Sequence, residues 1–82
     1  MDALNGTVAE RLRLIVAKEV KIDPAGIKED SSLVDNLGVE SAELVSLLYA
    51  IEGEFDIEIT DEEADTYIQF RDVVQSIEAK VA

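Results

Sequence analysis

The sequence has no cysteine, no histidine and no tryptophan, only one proline, and seven basic residues against nineteen acidic ones. Without cysteine there is neither a disulfide framework nor a thiolate, and without histidine the commonest general base is missing too. The two absences together remove the usual zinc ligands. Catalysis by the bare polypeptide is therefore not expected, and no metal site is expected. The shortage of bases leaves a formal net charge of -12. A surface this anionic is repelled by phosphate backbones and by anionic lipid headgroups, which excludes nucleic-acid binding and peripheral membrane binding and points to partners with basic surfaces. No apolar run approaches the ~20 residues of a membrane-spanning helix. Residues Met1 to Asn5 lack the basic region and apolar core of a signal peptide, so the expected location is cytoplasmic. Apolar residues are plentiful, at 48% of 82, too many for a disordered acidic tail. The length predicts one small domain over residues 1–82 that buries only ~60% of its unfolded surface.

Apolar spacing places four helices. Leu4, Val8, Leu12, Ile15 and Val16 share a stripe, predicting a first helix over about residues 4–20. Gly6 weakens its first turn, and Thr7 followed by Glu10 is an alternative start as a capping box. Asp23-Pro24 sets a turn that opens at most one short helical turn, because Gly26 follows. Residues 21–38 are otherwise connection, and Ile22, Ile27, Leu33, Val34 and Leu37 predict that this long loop packs back on the core. Leu44, Leu47, Leu48, Ile51 and Phe55 repeat at helical spacing, predicting a second helix over about Ser41 to Glu54. Its opposite face carries Glu43, Ser46, Gly53 and Glu54, flanked by Val45, Tyr49 and Glu52. Thr60 with Glu63 is a second capping box, opening a short helix to about Asp65. The alternation from Phe55 to Ile59 resembles a strand, but five residues with no second strand have nothing to pair with. Phe70, Val73, Val74, Ile77 and Val81 predict the last helix. The fold class is therefore all-α: a small four-helix bundle with three longer helices, one short one, and a long loop between helices one and two.

The charge is segregated as well as unbalanced, since residues 29–70 hold 13 acids and no base. Such a run is either a solvated face or a surface kept for a partner. An EF-hand beginning at Asp56 fails at two of its required places, with Asp61 where the glycine turn belongs and Tyr67 where the bidentate glutamate belongs. The segment Asp35-Asn36-Leu37-Gly38-Val39-Glu40-Ser41-Ala42-Glu43-Leu44-Val45 is more distinctive. Gly38 lets the chain turn, Glu40 stands at the cap, and Ser41 falls in the first turn of the second helix. From spacing alone Ser41 is a helix-start serine, and most of those are caps.

Leu33 to Ala64 resembles the acyl carrier proteins, small acidic helical bundles that carry acyl chains on a 4'-phosphopantetheine arm. The resemblance spans nearly the whole chain. It is carried by Leu-Val-Asp-Asn-Leu-Gly-Val-Glu-Ser, then Glu-Leu-Val, then Ile-Glu-Gly-Glu-Phe-Asp-Ile-Glu-Ile-Thr-Asp-Glu-Glu-Ala. In that family the modified serine lies in an Asp-Ser-Leu tripeptide opening the second helix. The matching tripeptide here is Glu-Ser-Ala, with Glu40 replacing the aspartate and Ala42 the leucine.

The resemblance implies several expectations. The arm is attached covalently to Ser41, and its terminal thiol holds cargo as a thioester, because no side chain of the protein offers a good nucleophile. The function implied is shuttling of acyl groups in fatty acid or related lipid or polyketide synthesis. An aminoacyl or peptidyl carrier and an unmodified acidic interaction module are the alternatives. The implied partners are a phosphopantetheinyl transferase and acyl-transfer or synthase enzymes with basic docking patches, which a monomer meets through Glu40, Ala42, Glu43, Val45, Tyr49, Glu52, Glu54 and Asp56. The implied cargo pocket lies between the second and third helices, lined by Leu48, Ile51, Ile59, Ala64 and Ile68.

Overall fold

A computed structural model describes residues 7–81. Its helices are α1 (Val8–Val20), α2 (Ser41–Phe55), α3 (Asp61–Ala64) and α4 (Phe70–Val81). Among the described residues there is no strand, only one isolated antiparallel bridge between Ser32 and Gln69. The Phe55 to Ile59 alternation forms no strand, in keeping with its want of a partner.

Capping chemistry decides where the helices begin. Thr7 is extended and its hydroxyl accepts from the Glu10 N–H at 3.1 Å, while Glu10 Oε1 accepts from the Thr7 N–H at 2.9 Å. The expected start at residue 4 is therefore corrected to Val8: a reciprocal box satisfies two otherwise orphaned donors, and an extended Thr7 cannot lie inside a helix. Leu4 lies outside the described residues. Thr60 and Glu63 build the same box at α3, with bonds of 3.0 and 3.1 Å. Asp23 caps a single 3-10 turn, Pro24–Gly26, by accepting from the Ala25 N–H.

Leu12, Val16, Ile51, Phe70 and Ile77 are fully buried and Leu47 nearly so, where α1, α2 and α4 meet. Two arginines brace this core from α1. The Arg11 guanidinium lies 4.5 Å over the Phe55 ring, and Arg13 donates to the Ile27 carbonyl at 3.0 Å while lying over Phe70. Leu48 and Val74 sit at the margin, half-buried against the central cluster.

The long loop is pinned along its length. Leu33 N–H donates to the Ile68 carbonyl, Phe70 N–H to Ser31, and Arg71 N–H to Glu29, all at 2.9 Å. Ile27, Leu33 and Leu37 are buried, and Ile22 is half-buried. Val34, expected to pack inward, is instead 68% exposed. It lies in the turn whose residues bond among themselves, with Gly38 N–H donating back to the Val34 carbonyl, so its side chain is directed away from the core. Val39 takes the inward place, at 5% exposure.

Candidate functional site

Three local features place Ser41. Gly38 has a φ of +70°, the left-handed region where a Cβ is costly, and it turns the loop toward α2. Val39 N–H then donates to the Leu33 carbonyl at 2.8 Å and ties the loop's end to its middle. Glu40 is the N-cap: its N–H donates to Glu43 Oε1 at 3.0 Å, and its side chain takes the box position against the Glu43 amide without closing a cap hydrogen bond. Ser41 is consequently the first helical residue and not the cap. Its hydroxyl is exposed, unlike a capping hydroxyl turned onto first-turn amides.

The Ser41 side chain stands at a cavity of about 370 Å³ lined by Leu33, Val34, Val39, Glu40, Ser41, Leu44 and Tyr67. Its walls are apolar residues of the loop, α2 and the α3–α4 connection, and its polar residues are Glu40, Ser41 and the Tyr67 phenol. The phenol oxygen is 2.7 Å from Ser76 Oγ on α4. None of Leu48, Ile51, Ile59, Ala64 and Ile68 lines this cavity. Leu48 and Ile59 come together in a second groove of about 200 Å³ with Val45, Tyr49, Glu52 and Asp61. Ile51 is sealed in the core, Ala64 is half-buried, and Ile68 is 65% exposed. Spacing missed Leu33, Val34, Val39 and Tyr67 as cavity residues because it sorts apolar side chains into core or surface, and these border a hollow between the two. Of these only Val39 carried a signal, since it immediately precedes Glu40 and Ser41.

The acidic residues of the expected docking surface fall into unlike settings. Arg11 binds Glu54 through an ion pair of 2.8 Å and a second side-chain bond of 3.2 Å. Glu52 accepts from the Ile59 N–H at 2.8 Å. Asp56 is exposed in the left-handed C-cap of α2. Glu40 and Ala42 are exposed beside Ser41, and Val45 and Tyr49 are exposed at 53% and 70%. The remaining strong interaction lies elsewhere: Lys80 on α4 bonds Glu63 on α3 at 2.7 Å. That bond, with the Thr60 amide, holds the Glu63 carboxyl below its ordinary range, and the same bond raises the Lys80 ammonium above its own. Among the described residues no helix is long and apolar enough to cross a membrane.

An exposed hydroxyl at the first turn of α2, clear of the capping bonds and bordering an apolar hollow, fits a covalently attached arm with an apolar load. The comparisons with known proteins point the same way. The family model described as "Phosphopantetheine attachment site" matches residues 10–77. The chain is 44% identical to the acyl carrier protein of Clostridium acetobutylicum over 88% of its own length and 94% of that protein's. It is 39% identical to the acyl carrier protein of Campylobacter hominis, over 87% and 90%. A solved structure from Mycobacterium tuberculosis, of a protein assigned as an acyl carrier protein, is similar with a TM-score of 0.85 at 30% identity, covering 90% of this chain and 99% of that one. The chain belongs to the acyl carrier proteins, which are carriers and not enzymes and whose prosthetic group is a covalent 4'-phosphopantetheine.

Proposed function

We propose that Ser41 carries the 4'-phosphopantetheine and that the protein shuttles acyl groups between enzymes of fatty acid or related lipid and polyketide synthesis in the cytoplasm, as one carrier domain. The observation that carries this reading is the position of Ser41, exposed at the first turn of α2 and bordering the cavity. When bound, the arm supplies a terminal thiol that holds the acyl group.

The chain's own residues do the rest. A phosphodiester on Ser41 Oγ stands at the positive end of α2, a favourable place for an anion, although Glu40 and Glu43 oppose part of that gain. Leu33, Val34, Val39 and Leu44 offer apolar walls that keep water from a folded-back aliphatic load. Glu40, Glu43 and Asp56, with Ala42, Val45 and Tyr49, present acidic and apolar contacts to basic patches on a phosphopantetheinyl transferase and on synthase enzymes. Ion pairs at such a rim speed encounter and release easily, which suits successive partners. Glu54, Glu52 and Glu43 contribute less, because each already has an internal partner.

Intact mass after co-expression with a phosphopantetheinyl transferase tests the assignment. Wild type gains one arm and Ser41→Ala gains none. An unmodified wild type, or the same adduct on Ser41→Ala, overturns it. Partner binding and cellular function preserved in Ser41→Ala support an interaction module instead, and an amino acid recovered on the arm supports an aminoacyl or peptidyl carrier.

A further inference from the structure

On one side the cavity at Ser41 is bordered by a single aromatic residue. Of its lining residues, Leu33, Val34 and Val39 come from the loop and Glu40, Ser41 and Leu44 from the start of α2, leaving Tyr67 as the contribution of the α3–α4 side. Tyr67 is 8% exposed. Its backbone N–H is held by the Ala64 carbonyl at 3.1 Å, and its phenol oxygen lies 2.7 Å from Ser76 Oγ, on a helix residue that does not itself line the cavity. The ring is thus fixed at both ends, with α3 anchoring its backbone and α4 its hydroxyl.

We propose that Tyr67, positioned by Ser76, is the wall that limits the length of aliphatic acyl group this carrier shelters, selecting short chains over long ones. The inference rests on the acyl-carrier reading of Ser41. A short chain entering from Ser41 meets the apolar walls, and each methylene it buries stabilises the folded protein. A chain that outgrows the cavity has to displace the ring. Displacement breaks the Tyr67–Ser76 bond and leaves two half-buried hydroxyl groups unpaired, which opposes the gain from burying further methylenes. The ring itself is stiff and cannot shrink to make room, as a methionine or leucine would.

The test loads the holo-protein with acetyl, butyryl, hexanoyl, octanoyl, decanoyl and dodecanoyl groups, verifies each by intact mass, and measures Tm relative to the same variant's unloaded holo form. In wild type, Tm rises with chain length and then levels off. In Tyr67→Ala the rise continues to longer chains, and Tyr67→Leu, which keeps more of the apolar packing, does the same if the alanine variant fails to fold. Tyr67→Phe keeps the ring but not its tether, and Ser76→Ala frees the same tether from the other side; each extends the rise less than Tyr67→Ala does. A levelling-off point that is absent in wild type, or unmoved in both Tyr67→Ala and Tyr67→Leu, overturns the proposal. An unmoved point in both Tyr67→Phe and Ser76→Ala overturns the role of Ser76. Mass separates the two kinds of failure: no adduct at Ser41 removes the carrier reading and this inference together, whereas full loading with an unmoved levelling-off point removes this inference alone.

Discussion

At the C-terminal end of α2 one basic side chain, that of Arg11, reaches across from α1 to meet an acid, whereas at its N-terminal end none does among the described residues. Arg11 pairs with Glu54 and lies over Phe55, and Glu52 is engaged by the Ile59 amide. Around Ser41 the setting differs. Glu43 is turned onto the Glu40 backbone, and among the described residues neither Glu40 nor Glu43 has an ion pair. Val45, one turn on, adds exposed apolar surface there. The lesson is that a count of acids does not define a docking surface. The same carboxylate type is tied into the scaffold where a tethered cation or a backbone amide lies within reach, as at Glu54, Glu52 and Glu43, and stays available for a partner where neither does, as at Glu40.

The contrast predicts a graded set of effects. The largest belongs to the scaffold: Leu47→Ala, at a site only 2% exposed, costs about 2–5 kcal/mol in denaturant unfolding. Val45→Ala, two positions away on the exposed face, stays within about 0.5 kcal/mol while weakening partner binding. Equal losses of stability would erase the distinction between the two faces. Next comes Gly38→Ala. A Cβ there meets nothing within 4 Å, so the cost of about 1–2 kcal/mol is that of the left-handed backbone alone. Since Gly38 turns the loop into Glu40 and Ser41, slower arm attachment accompanies the lower Tm, and a normal attachment rate would show that the loop tolerates another route.

Salt sharpens the comparison further. Uncompensated acids near Ser41 repel one another, so raising ionic strength from low to moderate raises Tm by a few degrees, and the rise is larger in Arg11→Met, which frees Glu54. A flat profile in both proteins would mean the acids are already neutralised by geometry.

The smallest effect is that of the half-exposed Lys80–Glu63 pair. Glu63 titrates below its ordinary range when folded, so its contribution is present above that range and is lost as pH falls through the lowered value. Lys80 is raised, so its contribution is present at neutral pH and is lost as pH rises through the raised value. A Tm–pH profile of Lys80→Met therefore loses a little stability across the neutral plateau and converges on wild type at both extremes. A constant offset at all pH values would assign the effect to packing of the lysine stem instead.

Much of this architecture was readable in advance where the physics is local. The Thr7–Glu10 and Thr60–Glu63 boxes announce helix starts because a threonine oxygen and a glutamate three residues on can satisfy each other's backbone donors without help from the rest of the chain. Of the apolar stripes of α2 and α4, Leu47, Ile51, Phe55, Phe70, Val73 and Ile77 are buried, Leu44, Leu48 and Val74 are half-buried, and only Val81, in the last turn, is exposed, since a helix presents the same face along its length. The loop was harder. Val34 and Val39 are the same residue type five positions apart, yet one is mostly exposed and the other buried. Nothing periodic separates them; the bonds of Leu33 to Ile68 and of Val39 to Leu33 do.

From its residues alone this protein was bound to be a small acidic helical bundle with a serine opening its second helix, because helix periodicity, capping and net charge are properties of neighbouring residues. Which acids stay unpaired, which loop valine is buried, and that Tyr67 joins Leu33 and Leu44 around the hollow beside Ser41 were decided only when distant segments met, since an ion pair or a cavity wall exists between elements and belongs to none of them.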